Sequence, residues 1–190
     1  MKLNLILILI ATIGASVCLT VSSAGPSSRT ADEMQWGKPS DGVQISLSSS
    51  DPTGLQVAFR NVGDHDVTLN LGSMMANGKV QLPDEINIDF TDAQGRSRVF
   101  KFRDKKHAGV AGRLDDYVVP LRAGSMYTLK LGLDEFWCPE TEEFEIPLLP
   151  GKNQLTGRFH GGGARISHSD IKLMNFWLGD VESNTLTVER

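Results

Sequence analysis

The segment from Tyr117 to Leu131, YVVPLRAGSMYTLKL, restricts the fold more than any other stretch of the chain. Beyond its turn, Tyr127, Leu129 and Leu131 fall on one side, and Met126, Thr128 and Lys130 on the other. A period of two is the mark of a strand with one face against a core and the other in water. The turn Leu121-Arg122-Ala123-Gly124 places a glycine where the backbone needs φ > 0. The segment reads as strand, tight turn, strand.

The same alternation recurs along the chain. Val43–Leu47, Leu55–Phe59, Val67–Leu71, Ile86–Phe90 and Val99–Phe102 each carry apolar residues at every other position. NVGDHD between the second and third predicts a hairpin, as does Asp92–Gly95 between the fourth and fifth. Asn77-Gly78 is a further turn signal, with a short strand leaving it from Lys79 to Leu82. Phe144–Ile146, Leu155–Phe159 and Leu186–Val188 read as later strands, and Arg103–Asp116 as a long surface loop. Asp170–Leu178 fits neither period and reads as irregular structure. No amphipathic helix of useful length is visible outside the N-terminus, which disfavours parallel βαβ folds. Roughly 8–10 short strands separated by turns predict an all-β antiparallel sandwich over residues 36–190.

The N-terminus has a different character. Lys2 precedes an apolar run from Leu3 to Ile13, and small residues gather at Val21–Gly25, the three-part pattern of a secretory signal peptide. Cleavage is expected after Ala24. The alternative, an uncleaved anchor over Leu3–Val21, is weakened by Asn4, Thr12, Ser16 and Thr20. Residues 25–35, rich in Ser, Gly and Thr, read as a flexible linker. Cleavage leaves 166 of the 190 residues, enough for one domain with a core, and takes the net charge from −4 to −5. A mildly acidic chain without a basic block is a poor partner for nucleic acid or anionic lipid. Cys18 leaves with the leader, so Cys138 has no intramolecular partner and is expected to be buried as a small hydrophobe, intermolecular pairing being the alternative. The absence of any Asn-x-Ser/Thr sequon leans towards a bacterial protein in the periplasm or outside the cell.

Leu121–Tyr127 resembles the tyrosine-corner turn of immunoglobulin-like and fibronectin type III sandwiches, in which a leucine, a turn glycine and a tyrosine three residues later lock one sheet to the other. VAFRNVGDHDVTLNLG is similar to a strand–turn–strand unit of exported bacterial immunoglobulin-like domains, and WLGDVESNTLTVE to their closing strand. The resemblance implies an immunoglobulin-like fold and an exported class, with Leu121, Gly124 and Tyr127 as structural residues, and no activity. A second copy of the frame, Leu148–Gln154, has glutamine in place of the tyrosine and is not a repeat.

Candidate chemistry is sparse. His160-Gly161-Gly162-Gly163 matches an oxyanion-hole run, yet the chain has no Gly-x-Ser-x-Gly nucleophile elbow, so a flexible glycine loop is expected. Asp64-His65-Asp66 offers metal-ligand types in one turn without a fourth ligand at a telling spacing, and turn chemistry explains it better. Ser169-x-x-Lys172 lacks the companion motifs of penicillin-binding enzymes. A hydrolase would need His65, His107, His160 and His168 gathered with serine and carboxylate groups. Glu140, Glu142, Glu143 and Glu145 form an acidic patch, expected to be a solvated face. Trp36, Trp137, Trp177, Tyr117 and Tyr127 serve either as core plugs or as stacking surfaces for sugar rings, with Trp137 the most exposed by context. The expected function is an exported, non-catalytic binding or structural module without metal or cofactor, acting on an unknown protein or glycan. Its candidate binding residues are Arg103, His107, Trp137, Glu140 and Glu142. The competing expectations are a proteinase-inhibitor-like sandwich acting through a loop, and a carbohydrate-binding module using exposed aromatics.

Overall fold

A computed structural model describes residues 34–75, 80–103, 114–163 and 175–190. The leader, residues 25–33 of the linker, the Asn77-Gly78 turn, His107, His168 and the Ser169-x-x-Lys172 match lie outside the described residues. Among the described residues there is no α-helix, only a single 3-10 turn at Leu133–Glu135. In chain order the strands are β1 (Val43–Asp51), β2 (Gly54–Asn61), β3 (Val67–Met75), β4 (Gln81–Leu82), β5 (Ile86–Thr91) and β6 (Ser97–Phe102), then β7 (Leu114–Leu121), β8 (Met126–Gly132), β9 (Phe136–Cys138), β10 (Glu143–Phe144), β11 (Lys152–His160) and β12 (Asp180–Glu189). The fold is an all-β antiparallel sandwich. Its sheets run β1-β2-β8, β10-β9-β6-β5-β11-β12 and β4-β3-β7.

Period-two sequence becomes period-two burial. In β5, Ile86, Ile88 and Phe90 are buried while Asn87, Asp89 and Thr91 are partly exposed. The apolar faces meet in one core, where Phe59 of β2 stands edge-on to Phe159 of β11 with centroids 5.1 Å apart. Cys138 is fully buried and free, as its apolar reading requires. Trp177 and Tyr117 are core plugs, and Trp177 stacks on Phe159 at 5.7 Å.

Strand neighbours differ from the expectation in one hairpin. β5 and β6 pair as predicted, but β2 and β3 do not pair. β2 lies between β1 and β8, and β3 between β4 and β7. The turn after Asn61 therefore carries the chain from one sheet to another. The Tyr117–Leu131 segment does the same, with β7 against β3 and β8 against β2, so it is a corner and not a hairpin. Gly124 adopts φ +74° and Leu121 is buried, as the turn requires.

The pin of that corner is Asn61. Its Nδ2 donates to the carbonyls of His65 and Leu121, each at 2.9 Å, and its Oδ1 accepts from the Gly63 N–H at 2.9 Å. Its own N–H donates to Ser125, and its carbonyl accepts from Gly124. Asp66 adds a bond from the Ala123 N–H at 2.9 Å. Tyr127 contributes in an unexpected way: its hydroxyl meets the hydroxyl of Tyr117, not a backbone group. Burial first, and then this bond and the charge of its neighbour, push the Tyr117 phenol well above the ordinary tyrosine value.

Three further differences have local causes. β7 begins at Leu114 because Leu114, Asp115 and Asp116 pair with Met75, Met74 and Ser73, which removes them from the predicted loop. Twelve strands appear among the described residues because β4, β9 and β10 have only two or three residues each. Phe176, within the stretch expected to be irregular, makes a parallel bridge to Thr68.

The free edges of β1 and β12 are closed against each other. The Asn184 side chain accepts from the Leu47 N–H at 2.8 Å and donates to its carbonyl at 3.0 Å, taking the place of a neighbouring strand. Residues 35–40 run along the rest of β1, with the Gly37 N–H bonded to the Ile45 carbonyl. A Cβ at Gly37 would stand 1.8 Å from the Glu182 carbonyl oxygen, so only glycine fits. An edge covered this way offers no ladder to another chain.

Candidate functional site

At the end of the sandwich opposite Asn61, the two layers part into a cleft of about 640 Å³. Three backbone bonds set its shape. The Leu133 N–H donates to the Thr53 carbonyl, the Ile146 N–H to the Leu133 carbonyl, and the Glu145 N–H to the Phe136 carbonyl. These tie the β1–β2 turn, the 3-10 turn and the chain leaving β10 into one wall. Glu145 makes the bend from β10 into that wall at φ +85°, and Glu142 sits at φ +57°. Left-handed backbone costs a non-glycine residue about 1–2 kcal/mol.

The cleft floor is apolar: Phe100, Leu133, Ile146 and Leu148. Its mouth carries Asp134, Glu143, Glu145 and Arg190, with Phe144 38% exposed beside them. Arg190 is held by a bond from its Nη2 to the Pro52 carbonyl at 2.6 Å.

Arg98 is the unusual member. It shares the inward parity of Phe100 and Phe102 on β6, so it enters the cleft from the core face of the sheet. Its guanidinium lies 5.6 Å from the Phe100 ring centroid and 5.8 Å from that of Phe90. Its Nε is buried and finds no hydrogen-bond partner among the described residues. Arg96, two residues earlier, shows the ordinary solution. The Asp92 side chain, fully buried, accepts from the Arg96 and Gln94 N–H groups and from Arg96 Nε at 2.7 Å. Burial pushes the Asp92 carboxyl up, and these bonds outweigh it, holding the group below the usual carboxylate value.

The expected binding residues are elsewhere. Trp137 lies on β9, paired with Lys101 of β6 and Phe144 of β10, and is partly buried on the sheet rather than exposed in a loop. Arg103 stacks over its ring at 4.7 Å, so these two candidates do come together. Glu140 and Glu142 are exposed on the β9–β10 turn, where the Glu142 N–H closes onto the Cys138 carbonyl. Neither lines the cleft.

The other motifs resolve into local structure. His65 Nδ1 sits 2.8 Å from Asp64 Oδ1 in solvent, and this bond lowers the Asp64 carboxyl. Asp66 turns away to Ala123. His160 pairs with Asp180 at 2.7 Å, both exposed. Gly161 is not part of a flexible loop: it is buried, bonds to the Gly179 carbonyl, and a Cβ there would meet the Trp177 ring at 2.4 Å. No group of three His, Cys, Asp or Glu among the described residues is arranged to hold a metal.

Arg98, Phe100, Leu133 and Arg190 were not among the sequence candidates. The signal for Arg98 and Phe100 was the parity of β6, which puts an arginine on the face that continues as Phe100 and Phe102. No protein-family model, curated protein or solved structure matches the chain.

Proposed function

We propose that this chain is an exported, non-catalytic sandwich module of the immunoglobulin-like kind that binds a ligand in the cleft between β6 and the β10–β11 connection. The observation that carries this reading is Arg98, a permanent cation set into an apolar-floored cleft with a buried N–H that no described residue satisfies. A group kept at that cost serves something the domain does not itself contain. The immunoglobulin-like assignment is supported by the Leu121–Gly124 corner joining two sheets, and export by the leader-like N-terminus. A catalytic reading lacks support because His65 and His160 each face solvent beside a single aspartate, far from the cleft lining.

The glycan reading keeps one supporting observation, the Trp137–Arg103 stack on the outer face of the large sheet. Amide NMR spectra titrated with pools of short peptides and oligosaccharides separate the two. The cleft reading expects shifts at Phe100, Leu133, Phe144, Glu145, Ile146 and Leu148. Shifts confined to Trp137, Lys101 and Arg103 with sugars would replace it with the glycan reading. Protein recovered from the envelope or medium is expected to begin at Gly25; a chain beginning at Met1 contradicts cleavage.

A further inference from the structure

We infer that the cleft takes a ligand carrying a carboxylate, an apolar group and a cation in that order, and that its source is the free C-terminal end of a peptide. This rests on the reading of the cleft as the binding site.

The carboxylate follows from Arg98. A guanidinium does not lose its proton in proteins, so a buried Nε–H must find an acceptor or remain a standing penalty. The planar fork of arginine matches the two oxygens of a carboxylate. No carboxylate of the described residues forms an ion pair with Arg98, whereas Arg96 is paired with Asp92, and Arg158 with Asp89 and Glu182. With no acceptor among the described residues, the inference assigns that role to a ligand carboxylate.

The rest of the ligand follows from what surrounds that arginine. Phe100 and Leu148 offer apolar surface next to it, suited to the side chain of a terminal residue. At the mouth Asp134, Glu143 and Glu145 outnumber Arg190, which disfavours a second negative charge and attracts a basic residue upstream. A phosphate dianion fits this charge order poorly. The volume of about 640 Å³ falls within the range of small-ligand sites and exceeds the needs of one amino acid.

The test uses acetyl-Lys-Ser-Leu-Phe as free acid, the same peptide as C-terminal amide, and free phenylalanine, each titrated into the purified protein by calorimetry and amide NMR. The free acid is expected to shift the amides of Phe100, Leu133, Phe144, Glu145, Ile146 and Leu148, and to bind at least about tenfold more tightly than the amide. Arg98→Met should abolish the preference for the acid. Arg98→Lys, which keeps the charge and loses the fork, should reduce it. Glu143→Gln with Glu145→Gln should remove any preference for lysine over serine at the first position. Equal binding of acid and amide in the cleft would overturn the carboxylate assignment and leave the cleft reading standing. Phenylalanine binding as tightly as the tetrapeptide would overturn the peptide assignment. Absence of cleft shifts with all three would overturn the inference, and the peptide and sugar pools then decide the cleft reading separately.

Discussion

β2 has a differently built site at each of its ends. At Asn61 it terminates in a fully buried amide whose donors and acceptor are all used, joining the β2–β3 turn to the β7–β8 corner. At Gly54 it leads into the β1–β2 turn, where Thr53 borders a cleft containing an arginine with an unused N–H. Both ends bring a polar side chain inward, one fully satisfied and one with an N–H that no described residue satisfies. Satisfied buried networks fix a unique arrangement, and partly satisfied ones are costly unless something else completes them. The contrast separates an end built for stability from an end that, on the proposed reading, serves recognition.

The strongest way to break this contrast is at Asn61. Asn61→Ala leaves the His65 and Leu121 carbonyls and the Gly63 N–H without their partner, and should cost about 3 kcal/mol. Urea denaturation measures it; a loss under about 0.5 kcal/mol would mean that the corner holds without its pin. Tyr127→Phe should cost less, about 1 kcal/mol, because one hydroxyl pair is lost. Tyr117→Phe should then add little on top of it, since both act through the same bond, and full additivity in the cycle would show that they are independent.

The smallest effect sharpens the other end. The Asp92 carboxyl sits below its ordinary value of 3.8 in the folded protein, so its contribution is complete above that pH and is lost as pH falls through the folded value. The stability gap between the protein and Asp92→Asn should therefore be constant above about pH 3.8 and close as pH falls below it towards the lower folded value. Parallel curves throughout would remove the Asp92–Arg96 pair as a source of pH dependence.

Much of this architecture was legible in the sequence and some of it was not, for a physical reason. Alternation reports which side chains face inward, so Ile45, Val57, Ile88 and Phe100 were readable as core. It does not report which strand lies alongside, and NVGDHD looks like a hairpin turn whether the chain folds back or crosses to another sheet. Asn61 decides that through bonds to Leu121 and Ser125, which are distant in sequence. β9 escaped notice because three residues before a proline carry too little pattern. Trp137 consequently read as a loop residue, although the pairings to Lys101 and Phe144 place it on a sheet. Arg98 was hidden by a boundary, since a strand begun at Val99 leaves the one inward-facing arginine of β6 outside it.

The most direct test compares Arg98→Met with Asn61→Ala in one set of urea titrations. Asn61→Ala should lower the midpoint clearly. Arg98→Met exchanges an unsatisfied cation for an apolar side chain of similar length, and should leave the midpoint unchanged or raise it, by up to about 1 kcal/mol. A loss from Arg98→Met as large as that from Asn61→Ala would show that the arginine holds the fold together, and would contradict the assignment of the cleft to recognition.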